Sequence, residues 1–393
     1  MVWTPWAKRN AQVTASDLLG WQTAARSGRG PLGGTNISRD QALRHSAYWA
    51  CLRLRADLVS TMPIDVFRRV GGIQVEMPKP PVLQMPGGSN CEIEEWLYST
   101  QVDLDSTGNT FGIIKARDGQ SLPALIELLP VTDVVVSIRG GEMQVRVAGE
   151  LIDPMNLWHE KQFTSSGIPV GLSPTASGAA SIRGYLSAQQ FAADWFAGGA
   201  TPAAQLKNTS KKLDPDEARK VKDRFRAAVD TGDVFVTGSD WDYSMLSAKA
   251  SEAMFLDERR FGLGDVCRFL GVPGDMIDAA PDGTAITYAN ITQRNLQLLI
   301  MNLGPAITRR EAAFSRRMLP QPRYVKFNTD ALLRMDLASR YAGYKLAVDS
   351  RFMTPDEIRE LENRPPLTPE QEAAFARLFP WKSPGIEPTG APA

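Results

Sequence analysis

His45 and His159 are the only imidazoles in a chain of 393 residues, so acid–base or metal chemistry would begin with them. Neither lies in an HExxH pattern or within His/Cys ligand spacing. His159 follows a β-type segment with Trp158 beside it, as a hydrogen-bonded, half-buried histidine would. Both read as structural, and the alternative is an α+β enzyme with an unrecognised site near Asp153, His159 and Glu160. The pairs Asp103/Asp105, Asp214/Asp216 and Asp240/Asp242 hint at cation ligation. One of them serves helix capping, and the others lack further carboxylates at ligand spacing. Gly28-Arg29-Gly30-Pro31-Leu32-Gly33 matches GxGxxG literally, but no strand precedes it, no helix opens on it, and Pro31 removes a backbone donor. It reads as a loop. A Walker A lysine loop is also missing, which argues against an NTP-driven motor. The expectation is therefore no catalytic residue, no cofactor and no metal.

The basic runs Arg309-Arg310, Arg316-Arg317 and Lys211-Lys212, and the helix face with Arg219, Lys220, Lys222, Arg224 and Arg226, read first as solvated surfaces. Across the chain 44 Lys plus Arg balance 44 Asp plus Glu, so the formal net charge is zero. A tight nucleic-acid binder carries a basic excess, because phosphate neutralisation supplies most of its affinity. A composition of 43% hydrophobic and 22% charged residues belongs to a folded protein, and the length suits two or three domains of ~100–200 residues each. Cys51, Cys91 and Cys267 lie far apart in sequence, without a disulfide framework or a CxxC pair, which suits a reducing, cytoplasmic setting. No apolar run reaches the ~20 residues of a membrane span, and the first residues lack a signal peptide's apolar stretch. Neither secretion nor a membrane partner is expected.

The elements that position these residues follow from periodicity. Residues 1–37 are rich in Gly, Ser and Thr and read as a mobile arm. Ser38 with Gln41 meets the capping-box spacing for one helix running to Met62-Pro63. An alternating segment through Ile64, Val66 and Val70, a Gly71-Gly72 turn and a helix with Ile93, Trp96, Leu97 and Leu104 on one face come next. Short β-type runs from Thr110 to His159 complete an α+β domain. An Ala-rich helix over 175–197 carries too little polar surface to stand in water uncovered, and another copy of the chain is one candidate cover. Residues 200–248 read as strand, helix, strand, with Asp214 as N-cap and Pro215 first in the helix. A helix over about 250–270 leads into a Gly/Pro/Asp-rich loop. From Ile286 to Met318 a rod of roughly 50 Å is expected, kinked at Gly304-Pro305. A strand at Tyr324–Phe327 and helices capped at Thr354 and Thr368 follow.

Taken in order, these features resemble the portal proteins of long-tailed, siphovirus-type bacteriophages over nearly the whole chain, from Tyr48 to Pro366. The residues that carry the resemblance are Tyr48-Trp49-Ala50-Cys51-Leu52-Arg53 through Met62-Pro63, Gly108-Asn109-Thr110-Phe111, and His159 with Gly171-Leu172-Ser173-Pro174. Glu258-Arg259-Arg260 with Gly271-Val272-Pro273, Tyr288-Ala289-Asn290-Ile291 and Thr354-Pro355-Asp356-Glu357 follow in the same order. Gly198-Gly199 stands where Asn-Gly is common, and Asp356 where Asn is usual.

The resemblance implies a portal fold assembled as a ring of twelve subunits around double-stranded DNA that passes non-specifically. It divides the chain into an arm (1–37), an α+β wing (38–174), a stem helix (175–198) and a small α/β clip (199–248). A second stem helix (249–271), a tunnel loop (272–285), a long kinked helix with a wing strand (286–335), a crown-like helical region (336–380) and a disordered tail (381–393) complete it. Asp275, Met276, Asp278, Asp282 and Thr284 are then the DNA-facing candidates, and Lys211, Lys212, Arg219, Lys222 and Arg226 the clip candidates for motor or adaptor contact. The implied partners are the large terminase, the major capsid and scaffold proteins and the head-tail adaptor, within a virion assembled in the host cytoplasm. A scaffold or adaptor that does not line DNA is the remaining alternative.

Overall fold

The computed structural model describes residues 12–14, 37–139, 142–166, 168–197, 204–210, 214–231, 240–245, 262–277, 288–329, 337–362 and 364–378. It divides into two compact units, residues 1–329 and 330–393.

The first unit opens with strand β1 (Gln12–Thr14), short helix α1 (Arg39–Ala42), α2 (Ser46–Ser60), the β2–β3 hairpin (Ile64–Val70, Ile73–Met77) and α3 (Ile93–Thr107). Then come β4 (Asn109–Arg117), β5 (Pro123–Leu129), β6 (Val134–Arg139), β7 (Glu142–Val147), β8 (Glu150–Leu151) and β9 (Leu157–Lys161). Helices α4 (Pro174–Ser177) and α5 (Ala179–Ala197) follow. Next is the unit β10 (Ala204–Asn208), α6 (Pro215–Thr231), β11 (Trp241–Met245), whose strands pair antiparallel. Residues 262–270 form helix α7, and the chain continues through α8 (Tyr288–Gln297), a π-helical segment (Leu298–Leu303), α9 (Gly304–Arg317) and β12 (Arg323–Phe327). Among the described residues four antiparallel sheets form, in orders β1-β6-β7-β8, β12-β2-β3, β5-β4-β9 and β10-β11.

One expectation needs correction, and two gain detail. The helix foreseen from Ser38 to Met62 is two helices. Ser38 caps α1 through the expected box with Gln41, but Arg44 and His45 donate to carbonyls only three residues back, which tightens the turn and closes it. His45 then takes extended backbone and its Nδ1 accepts the Tyr48 N–H at 3.4 Å, capping α2. The long rod is continuous from Tyr288 to Arg317 and takes a π turn just ahead of Gly304-Pro305. The Gly304 N–H reaches back to the Leu299 carbonyl, and Pro305 falls in the first turn of α9, where its missing N–H has no partner to lose. Within the expected arm, Gln12–Thr14 add an edge strand to β6 opposite Val135–Ser137, and residues 1–11 and 15–36 lie outside the described residues.

Among the described residues of the first unit, two apolar clusters bear on the site. One gathers Tyr48, Cys51, Leu52 and Ala56 of α2 with Ile182 of α5 and Val266, Leu270 and Val272. Cys51 and Cys267, remote in sequence, come together in this core, and the neighbouring Cys267 together with burial raises the pKa of the Cys51 thiol. The partial cover of the Ala-rich helix is thus the 262–270 helix: Ser181 Oγ donates to Asp265 Oδ2 at 3.1 Å, and Gly178 lies under the Phe269 ring. The other core joins Phe111 and Leu157 to Val131, Val134, Val136 and Val145. Trp96, Trp158, Phe314 and Phe327 form an aromatic chain at centroid distances of 5.7–6.2 Å, which packs α3, β9, α9 and β12 together.

The second unit holds α10 (Leu337–Asp349), α11 (Pro355–Leu361) and α12 (Pro369–Leu378). Thr354 with Glu357, and Thr368 with Gln371, form the foreseen capping pairs. Glu362 ties α10 to the end of α11 by accepting from Arg340 at 3.1 Å and Tyr344 at 3.0 Å.

Candidate functional site

The group around His159 is built by β4 and β9, paired so that Phe111 lies opposite His159. The imidazole stacks on the Phe111 ring at 4.4 Å. Its Nε2 lies 3.1 Å from Asn109 Oδ1, which also accepts the Gly171 N–H at 2.7 Å, while Asn109 Nδ2 donates to the carbonyls of Thr107 and Gly171. With the amide orientation fixed by three bonds, Nε2 must be the donor. Burial lowers the His159 pKa to about 3, helped by Lys161 and Arg317. Asp153 is spent capping a one-turn helix through the Met155 N–H. Glu160 is buried, pairs with Arg310 at 3.5 Å and accepts from Trp158 Nε1 at 3.3 Å. His159 therefore joins β9 to β4, Glu160 joins β9 to α9 and Asp153 caps a turn, and no nucleophile–base pair joins the three. His159 has a testable signature. Its pKa is depressed on folding, so its contribution to stability is complete above about 6.5 and is lost as pH falls toward 3. In His159→Gln, the acid-side decline of the melting temperature should be shallower than in the unsubstituted protein.

The deeper element is a buried polar network that sequence reasoning missed. Arg55 holds Asp105 with two bonds, at 2.8 and 3.0 Å, and Gln101 donates to the same carboxylate at 2.9 Å. Arg310 donates to Gln101 Oε1 at 3.1 Å and to the Leu97 carbonyl at 3.3 Å, and also reaches Thr100 Oγ1. Arg317 donates to the carbonyls of His159 and Leu157 and lies 4.4 Å from the centroid of the Trp158 ring. The Arg316-Arg317 and Arg309-Arg310 runs, read from sequence as solvated, thus split: Arg310 is 1% exposed, while Arg309 and Arg316 face solvent. Helical period is the signal that was available, since Arg310 shares a face with Ile307 and Phe314.

At the other end of this network, Arg55 Nη1 donates to the Asn302 carbonyl at 3.1 Å, and Asn302 Nδ2 donates to Gly271 O at 2.7 Å. The π segment is thereby fixed to the start of the 272–285 loop. Of that loop, Asp275 forms an ion pair with Arg294 at 3.4 Å, and Met276 packs against the α2 core. Asp278, Asp282 and Thr284 lie outside the described residues. Arg219 and Lys222 are exposed on α6, Arg226 lies on the same helix, and Lys211 and Lys212 are outside the described residues. Leu296, Ile300 and Met301 stand exposed along α8 and the π segment, Met301 at 70%. Among the described residues no cluster of His, Cys, Asp and Glu is arranged to hold a metal ion, and no helix is long and apolar enough to cross a membrane.

The family model described as phage portal protein matches residues 46–363. The chain belongs to that family. The portal protein of Enterobacteria phage HK97 is 26% identical to it, over 92% of this chain and 89% of the relative. The portal fold is shared with an HK97-family phage portal protein from Corynebacterium diphtheriae, at TM-score 0.59 and 19% identity, over 76% of this chain and 97% of that one. It is shared also with a chain from the neck of a native gene transfer agent particle computed with C12 symmetry, at TM-score 0.55 and 16% identity, over 90% of this chain and all of that one. Within the portal family's ordered motifs, Gly108-Asn109 and Gly171 turn out to be one structural device, interlocked through the Asn109 amide.

Proposed function

We propose that this portal protein assembles as a ring of twelve copies at one capsid vertex and surrounds the double-stranded DNA that enters and leaves the particle. The observation that carries the reading is the exposed apolar run Leu296, Ile300 and Met301 on a segment tied to the 272–285 loop. Side chains of this kind, side by side on one rod, call for cover, and a head-to-tail contact between copies that closes on itself supplies it. The balanced charge supports a channel that lets DNA slide, since each phosphate contact adds to a binding term that must be broken for the DNA to advance. In this reading the protein is not an enzyme. The 272–285 loop, with Asp275, Met276, Asp278, Asp282 and Thr284, faces the DNA. The α6 unit, with Lys211, Lys212, Arg219, Lys222 and Arg226, meets the terminase during packaging and the head-tail adaptor afterwards. Capsid and scaffold proteins seat the ring, which forms in the host cytoplasm and ends in the virion.

The double variant Ile300→Glu/Met301→Glu should remain folded, because both side chains are already in water, yet fail to close rings. Negative-stain electron microscopy and light scattering of the purified protein read this out. Pored rings in the variant at the abundance of the parent, or a parent that stays monomeric in every condition, would sink the proposal.

A further inference from the structure

Cys51 on α2 and Cys267 on α7 share one core, and both are free thiols. Cys51 has no exposed surface and Cys267 is 5% exposed. Cys267 lies close enough to the Cys51 thiol to be the main cause of its raised pKa. A buried cysteine by itself is a small apolar filler. Two set beside one another from different helices are able to make and unmake a covalent bond within the finished fold.

What that bond would hold lies next to it. The Val272 N–H donates to the Cys267 carbonyl at 2.9 Å, where α7 ends. Asn302 Nδ2 donates to the carbonyl of Gly271 at 2.7 Å, and Arg55, one turn beyond Cys51 on α2, donates to the Asn302 carbonyl at 3.1 Å. Hydrogen bonds thus tie α2 to the start of the 272–285 loop, and each cysteine stands one helical turn from that tie.

We propose that Cys51 and Cys267 form a redox pair, which as thiols leaves α7 held to α2 by non-covalent contacts and as a disulfide fixes it covalently. The oxidant is a peroxide, small and uncharged. The Cys267 sulfur attacks one peroxide oxygen, the O–O bond breaks, and the leaving hydroxide takes the Cys267 proton, which gives a sulfenic acid and water. The Cys51 sulfur then attacks the Cys267 sulfur, and the departing hydroxide takes the Cys51 proton. Two thiols and one hydrogen peroxide become one disulfide and two waters. A reducing cytoplasm keeps the pair open, and an oxidising medium closes it. The inference does not rest on the ring reading, because one chain contains both thiols.

The test uses the full-length protein with Cys91→Ala, a half-buried position outside this core, treated under native conditions with hydrogen peroxide. Thiols are counted after denaturation, and peptide mass spectrometry locates any cross-link. The expected result is loss of both thiols, a Cys51–Cys267 linked peptide within single chains, and a melting temperature raised by about 5 °C or more. Hydrogen exchange at the Val272 amide should slow severalfold, and dithiothreitol should reverse every change. Cys51→Ala and Cys267→Ala, each in the same background, should show no rise and no slowing. The unsubstituted protein, mapped in the same way, gives the linked peptide without any variant. Two thiols surviving native peroxide treatment, sulfinic acid in place of the linked peptide, or a linked protein with unchanged melting temperature and Val272 exchange would each overturn the inference.

Discussion

Replacing Arg310 with methionine is expected to remove about 3–5 kcal/mol of folding stability, a large part of the 5–15 kcal/mol that a domain typically has. The side chain is 1% exposed, and it is the counter-charge for Glu160, itself buried and raised in pKa by desolvation that Arg310 opposes. Methionine fills much of the space between Trp96 and Phe314, whose rings lie 5.8 and 5.4 Å from the guanidinium carbon, so packing loss is a small part of the effect. The dominant cost is a carboxylate left in the core without a partner. Arg310→Met/Glu160→Gln should regain a substantial share of the loss, because the uncompensated charge goes with it. Urea unfolding of both variants decides the matter: a single variant within about 1 kcal/mol of the parent would mean that the pair is not what holds α9 to β9.

Gly171→Ala is expected to be nearly as damaging, by about 3 kcal/mol or more. A Cβ at this position would lie 2.1 Å from the Gly108 carbonyl oxygen and 2.3 Å from that of Gln162. Both obstacles are backbone, so neither swings aside. The facing Gly108 is equally constrained. It ends α3 in the left-handed conformation at φ +75°, and a Cβ there would meet the Leu172 carbonyl at 2.2 Å. Gly149→Ala is the control. It too has positive φ, at +87°, but open space around it, so its cost should be only the ~1–2 kcal/mol of the left-handed backbone. Equal melting temperatures for the two variants would refute the steric account.

Local signals carried much of this fold in the sequence. The α2 stripe, the hairpin at Gly71-Gly72, the Pro215 helix and the caps at Ser38, Thr354 and Thr368 are each set by residues within one or two turns, so periodicity and capping rules reach them. What failed is what depends on partners far along the chain. Nothing near Arg310 tells it from Arg309 except helical phase, and its carboxylate partner, Glu160, lies in another element. The pairing of β12 with β2, which sets Phe327 opposite Ile64, has no local signature, and neither does the meeting of Cys51 with Cys267. The kink expected at Gly304-Pro305 carries no local sign of the π turn just ahead of it, where Asn302 contacts Arg55 and Gly271. The tunnel-loop and clip residues came from the resemblance, and of these Asp278, Asp282, Thr284, Lys211 and Lys212 lie outside the described residues.

The late origin of α9 and β12 bears on how the chain leaves the ribosome. Their partners, β2, α3 and β9, are complete by Lys161, but the helix and strand that cover them span Gly304 to Phe327. Until those residues emerge, the β2 edge is unpaired and Glu160 has no counter-ion, so the first unit stays open through most of its synthesis. Closure then comes in one late step. A chain that is stalled or truncated before residue 304 therefore leaves the β2 edge and the buried faces of Trp96 and Trp158 uncovered, the kind of surface on which unfinished chains aggregate.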